Sequence, residues 1–210
     1  MKNAAEKIYD FMNTVEKLCY VNRDIFRKDG TKEPDSDHIM KLALLLMMVM
    51  PYVKQPINAQ KVLELALVHD LVEADVGDTP RLQSDHCPDI RAQKKAKEMA
   101  AIIKYRDLLP EPIGQKIYDL FIEYEERASP EAKLVKIFDR FEGDMQTFKE
   151  IPTLLNRKLN NERHEFVLNY LREDVAAAEK NGEPLIAEMQ KIQLDLAEQK
   201  VQELQAQGLI

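Results

Sequence analysis

The sequence predicts an all-α fold, a helical bundle around one core with a metal site inside it. Apolar residues recur at three- and four-residue spacing in segment after segment, and no stretch alternates as a half-buried strand does. Leu, Ala, Glu, Lys, Met and Gln dominate, and these favour helix. Only 6 glycines and 10 prolines in 210 residues leave little chain for the turns of a sandwich or barrel.

The elements follow in order. From about Asn3 to Tyr20, Ile8, Phe11, Met12, Val15, Leu18 and Cys19 predict one buried stripe. Val21 to Asp35 is polar, contains Asp29-Gly30 and Glu33-Pro34, and reads as a loop or turn. A second helix runs from Ser36 to about Met50. It is apolar nearly all round after Met40 and is expected to be central, with Pro51 and Pro56 ending it. Asn58 is an N-cap for a third helix through about Ala74, with Gly77 just past its end. Residues 81–90 read as a polar loop. Helices follow over about Ile90–Leu108, Pro112–Glu126, a sixth started by Ser129-Pro130, then Glu162–Lys180 and Pro184–Ala206. In the last of these, Leu185, Met189, Ile192 and Leu196 form a stripe that could pack on its own bundle or on a second subunit.

Composition narrows the function. A net charge of −7 offers no wide basic surface, so no extended nucleic-acid partner is expected. The longest apolar run, Leu42 to Val53, is too short to span a bilayer. Cys19 and Cys87 are too few for a disulfide framework, and no secretory signal precedes them, so a reducing cytoplasmic location is the default. Residues after Leu171 are acidic, with eight Asp and Glu against four Lys and Arg.

Four residues carry the chemistry: His38, the adjacent pair His69-Asp70, and Asp139. Two neutral imidazoles and two carboxylates are the mixed donor set that divalent cations accept. Taken singly each is weak. A histidine in an apolar helix is usually a hydrogen-bonded core residue, and Asp139 beside Arg140 reads as a surface pair. Together they set ionisable groups into three apolar segments, as a bundle with a metal in its core would. Glu73 follows His69 by four residues, about 40° away on one helix face. His86 and His164 lie in polar stretches and read as solvated.

The order His38, His69-Asp70, Asp139 resembles the HD-domain metal-dependent phosphohydrolases. The stretch Leu67-Val68-His69-Asp70-Leu71-Val72-Glu73-Ala74-Asp75-Val76-Gly77-Asp78-Thr79-Pro80 is similar to the branch that holds the bacterial 5'-deoxynucleotidases and their archaeal and eukaryotic relatives. Ser36-Asp37-His38 and Glu131-Ala132-Lys133-Leu134-Val135-Lys136 also resemble that branch, over roughly residues 15–150.

The resemblance implies that His38, His69, Asp70 and Asp139 ligate one divalent ion, whether Mn, Co, Mg, Zn or Fe. It implies that Glu73 orients or deprotonates the attacking water and that Asp78 reads the substrate's sugar. It makes Arg23 a phosphate-binding arginine, and a guanidinium can grip phosphate with two hydrogen bonds. Lys136 is a second-tier phosphate candidate, balanced against a structural role. The sequence departs from the deoxynucleotidases at Asp24, where they carry an aromatic residue, and in a longer segment from Asp24 to Asp35.

The expected activity is release of phosphate from a phosphomonoester, a (deoxy)nucleoside 5'-monophosphate in the first place. Two alternatives stay open: an HD-type hydrolase of another small phosphorylated metabolite or a nucleoside di- or triphosphate, and a regulatory helical module with a structural metal. Residues 1–180 are expected to form the hydrolase domain and 181–210 a helical extension. Relatives of this branch are often dimers, so a homodimer is expected.

Overall fold

The computed structural model describes residues 2–27, 29–79, 87–149 and 161–208. Most of the predicted polar loop over 81–90, including His86, lies outside the described residues, as does the side chain of His164. The helices are α1 (Ala4–Val15), α2 (Asp35–Val49), α3 (Ala59–Val68), α4 (Glu73–Val76), α5 (Pro88–Leu108), α6 (Ile113–Glu126), α7 (Pro130–Lys149), α8 (Asn161–Lys180) and α9 (Pro184–Ala206). Short 3₁₀ turns continue α1 through Cys19 and α2 through Tyr52.

Local chemistry sets the starts. Asn3 and Glu6 form a reciprocal capping box at α1. Asn58 caps α3 by accepting from the backbone N–H of Lys61, and its own N–H donates to Glu131 Oε1 at 2.9 Å, tying α3 to the first turn of α7. Ser129 Oγ accepts from the N–H of Ala132 and caps α7.

One core joins Leu42 and Leu46 of α2, Val62 and Leu65 of α3, Ile102 and Tyr105 of α5, Phe121 of α6, and Leu134 and Phe138 of α7. These residues sit at the helical spacing that the sequence shows. A smaller cluster of Leu168, Tyr170, Leu171, Ala197 and Val201 holds α8 against α9. Ile186 and Ala187 of α9 reach the main core, and Gln193 Nε2 donates to the Phe141 carbonyl at 3.0 Å.

The structure corrects four expectations. Val21–Asp35 is not a plain loop: β1 (Asn22–Phe26) and β2 (Lys32–Pro34) form an antiparallel hairpin, with Asn22 opposite Pro34 and Phe26 opposite Lys32. Strands this short and polar give no alternation to read, yet Asp29-Gly30 marks the turn, with Gly30 at a φ of 82°. Helix α2 is central along one face only, because Met40, Leu44, Met47 and Met48 are each at least half exposed. In α1 and the 3₁₀ turn after it, Phe11 and Leu18 are buried while Ile8 and Met12 are not, so the stripe is narrower than its spacing predicts. In α9, Leu185 and Met189 of the predicted stripe pack against the core, but Ile192 and Leu196 face outward, and Gln190, Gln193 and Ala197 join Ile186, Val201 and Leu204 on the packed face.

No described helix is long and apolar enough to cross a membrane. Leu46 is fully buried, so Leu46→Ala should lower the unfolding free energy by about 2–5 kcal/mol in urea denaturation. Met48→Ala, on the exposed face of the same helix, should stay within about 0.5 kcal/mol.

Candidate metal centre

The third predicted helix breaks at the residues that matter most. Helix α3 stops at Val68, and residues 69–72 turn through i-to-i+3 bonds. The N–H of Leu71 donates to Val68 O, and that of Glu73 donates to Asp70 O. Glu73 then opens α4, which Gly77 ends at a φ of 75°. A tightened turn re-aims side chains that a straight helix would stack, so the 40° relation of His69 to Glu73 does not describe the site.

The four predicted ligands meet. One donor atom from each of His38, His69, Asp70 and Asp139 lies within 4.8 Å of the other three. His38 Nε2 is 3.1 Å from Asp139 Oδ1, 3.3 Å from His69 Nε2 and 3.8 Å from Asp70 Oδ2. His69 Nε2 is 3.0 Å from Asp70 Oδ2. Both imidazole side chains are fully buried, while Asp70 and Asp139 keep 21% and 13% exposure and form the mouth.

The far side of three of the four candidate ligands is held. His38 Nδ1 pairs with Glu142 Oε2 at 2.6 Å, and His69 Nδ1 pairs with the Ala66 carbonyl at 2.8 Å. With Nδ1 protonated, each Nε2 presents its lone pair to the centre. Asp139 Oδ2 accepts from Tyr124 Oη at 2.6 Å and Lys136 Nζ at 3.0 Å, which leaves Oδ1 facing inward. Lys136 therefore sits behind a ligand and also donates to Tyr124. This donor set fits a divalent cation: two imidazoles, two carboxylates and a committed partner behind three of the four.

Electrostatics agree. Burial opposes ionisation of Asp139, but Lys136 and the imidazoles outweigh it and hold its carboxyl well below the usual range. Burial and Arg23 work against a charged His38, yet Asp139 and Glu142 push it up to about 9. Burial, then the charges of Asp70 and Asp35, push Glu73 up to about 12. Burial likewise raises its neighbour Asp35 to about 6. Lys94 Nζ lies 4.0 Å from Glu73 Oε1.

Arg23, on β1, lies with its Nη1 3.8 Å from Glu33 Oε2 and 3.7 Å from Glu142 Oε2, close enough to Asp70 and Asp139 to feel their charge. Asp78 is raised by burial and by Asp70, is lowered by Arg23, and accepts from the Asp24 backbone N–H. Asp24 itself faces Lys32 across the hairpin at 3.5 Å. Sequence reasoning missed Glu142, Tyr124, Glu33, Lys41, Asp35 and Lys94. A signal existed for the first: Lys136, Asp139 and Glu142 recur every three residues on α7.

A mainly helical chain whose core brings two histidines and two aspartates together has the donor set of a metal-dependent hydrolase. The family model described as "HD domain" matches residues 15–179, and the chain belongs to the HD-domain family. It is 33% identical over 143 residues to the 5'-deoxynucleotidase HDDC2 of Danio rerio, covering 67% of this chain and 68% of that one. It is 32% identical over 171 residues to the 5'-deoxynucleotidase hdd1 of Schizosaccharomyces pombe, covering 77% and 79%. The crystal structure of a predicted metal-dependent phosphohydrolase from Magnetospirillum magnetotacticum superposes with a TM-score of 0.71 at 21% identity, over 99% of this chain and 95% of that one. A conserved hypothetical protein from Pyrococcus furiosus gives 0.62 at 23% identity, over 87% and 99%.

Tyr124→Phe removes one hydrogen bond to Asp139 and should weaken Mn²⁺ binding by about tenfold in titration calorimetry. At pH 7 the raised His38 carries a proton in the metal-free protein, and ligation needs Nε2 bare. Binding should therefore release protons, and affinity should rise with pH up to about 9. Calorimetry in buffers of different ionisation enthalpy checks the sign; no proton release at pH 7 would refute it.

Proposed function

We propose that this protein hydrolyses the phosphomonoester of (deoxy)nucleoside 5'-monophosphates. The observation that carries the reading is the convergence of the four metal donors, with Arg23 close enough to feel the charge of Asp70 and Asp139 and the buried Glu73 close enough to feel that of Asp70. Two relatives that are 32% and 33% identical are named 5'-deoxynucleotidases, which supports the substrate class.

His38, His69, Asp70 and Asp139 would hold the cation. When bound, a divalent ion would polarise the phosphoryl group, acidify a water and offset the charge of Asp70, which adds to burial in raising Glu73. Arg23 grips phosphate through guanidinium N–H groups, one of which, Nη1, has no hydrogen-bond partner among the described residues. Glu73 accepts the water's proton on a carboxylate oxygen and is shielded from bulk solvent while it does so. Lys94, beside Glu73, balances its charge. Asp78 faces the sugar, its carboxylate steadied by the Asp24 N–H.

A second reading, hydrolysis of a di- or triphosphate or another small phosphorylated metabolite, rests on Asp24. Its pairing with Lys32 puts a charged pair where the deoxynucleotidases carry an aromatic residue. A purely structural metal is disfavoured, because it would need neither Arg23 nor Glu73.

Further assignments belong to the same proposal. Residues 1–180 form the catalytic domain and 181–210 an extension. The native ion is one of Mn, Co, Mg, Zn or Fe. The free cysteines Cys19 and Cys87 suit a reducing cytoplasm. A homodimer is supported by the apolar face that α2 exposes at Met40, Leu44, Met47 and Met48, and Leu44→Glu should lower the mass in light scattering if that face is the seam.

The test is a screen of Mn, Co, Mg and Zn against nucleoside mono-, di- and triphosphates. Phosphate release from monophosphates is expected; release only from di- or triphosphates would select the second reading, and none with any metal would sink both. Glu73→Gln should keep Mn²⁺ binding and lose about 10²-fold or more in kcat, and retained turnover would refute its role.

A further inference from the structure

A ring of alternating charge, its two carboxylates buried, lies behind the metal centre. Glu142 Oε2 pairs with His38 Nδ1 at 2.6 Å and faces Arg23 Nη1 at 3.7 Å. Glu142 Oε1 lies 3.1 Å from Lys41 Nζ. Lys41 also bonds Glu33 Oε1, and Glu33 Oε2 faces Arg23 Nη1 at 3.8 Å, which closes the ring. Its members come from the hairpin (Arg23, Glu33), α2 (Lys41) and α7 (Glu142).

The two carboxylates are buried, with Glu33 at 0% and Glu142 at 4% exposure, and each has both cations as partners. Buried carboxylates persist only with such pairing, so moving any one member disturbs the rest. The backbone makes room for it. A Cβ on Gly143 would come within 3.3 Å of Arg23 Nη2, so the guanidinium lies against α7 at the residue after Glu142.

One carboxylate oxygen, Glu142 Oε2, therefore serves two masters. It holds the Nδ1 side of His38, which aims Nε2 at the cation, and it holds the arginine that reaches for phosphate. We propose that Glu142 is a positioning residue that couples the metal ligand His38 to the phosphate-binding arginine Arg23. The coupling rests on the reading of Arg23 given above; the link to His38 does not. Because the link is thermodynamic, metal occupancy and phosphate affinity each strengthen the other through it.

The test uses the full chain. Mn²⁺ affinity of metal-depleted protein is read by titration calorimetry, inorganic phosphate on Mn²⁺-saturated protein by phosphorus line broadening, and fold by the melting temperature. Glu142→Gln keeps the shape but not the charge. It should weaken Mn²⁺ by about tenfold or more and phosphate by about fivefold or more. Arg23→Met should weaken phosphate and change Mn²⁺ affinity less than Glu142→Gln does, because Glu142 still holds His38 Nδ1. The double variant should bind phosphate no worse than Arg23→Met alone, because Glu142 acts on phosphate through Arg23.

Wild-type Mn²⁺ affinity in Glu142→Gln would overturn the proposal. So would an equal loss of phosphate affinity with and without Arg23. If Arg23→Met binds phosphate normally, the reading of Arg23 itself fails and the coupling with it; failure of the coupling alone leaves the Arg23→Met loss intact. If Glu142→Gln does not fold, Glu142→Asp, which keeps the charge but withdraws it by one methylene, should weaken Mn²⁺ in the same direction. Wild-type binding there would likewise overturn the proposal.

Discussion

Two imidazoles in the core aim Nε2 at a cation when something else accepts a hydrogen bond from each Nδ1–H. The structure supplies two different acceptors. His69 uses the neutral carbonyl of Ala66, within its own helix turn, and His38 uses the carboxylate of Glu142, 104 residues away. The first is local and cheap. The second places a charge in the interior, and that charge has to be balanced. Arg23 and Lys41 balance it, and they in turn require Glu33. On the mouth side, burial first and then the charges of Asp70 and Asp78 raise Glu73 and Asp35. Lys94 and Lys136 answer part of that charge, and a divalent ion suits the rest.

The fold puts these groups where they are needed with few elements. Helix α7 contributes Lys136, Asp139 and Glu142 from one face, so ligand and supports share one rigid segment. Helix α2 contributes His38 beside fully buried Leu42. The break after Val68 turns His69-Asp70 toward the same point and delivers Glu73 from the next short helix. The hairpin brings Arg23 over α7, and Asp24 closes on Asp78 behind it.

Much of this is legible in the sequence, for identifiable reasons. The bundle follows from helical periodicity, and the four candidate ligands follow from ionisable residues set into apolar runs. The hairpin is hidden because five- and three-residue polar strands carry no alternation, although Asp29-Gly30 marks the turn. The break in the third helix is hidden because Leu71, Val72 and Ala74 continue the apolar pattern through it, and propensity does not register a turn imposed by the site. Half-exposed Met40, Leu44, Met47 and Met48 make α2 look more central than it is, since apolar composition does not say which face is covered. Glu142, Tyr124 and Glu33 are invisible singly, because a partner's identity depends on contacts far along the chain.

The central claim is that one divalent ion, held by His38, His69, Asp70 and Asp139, makes this chain a nucleotide phosphohydrolase. It is tested most directly by titrating metal-depleted protein with Mn²⁺ while following phosphate release from a deoxynucleoside 5'-monophosphate. Release should rise with occupancy and level off at one ion per chain. Turnover that ignores metal, or a saturated site that releases no phosphate, would contradict it.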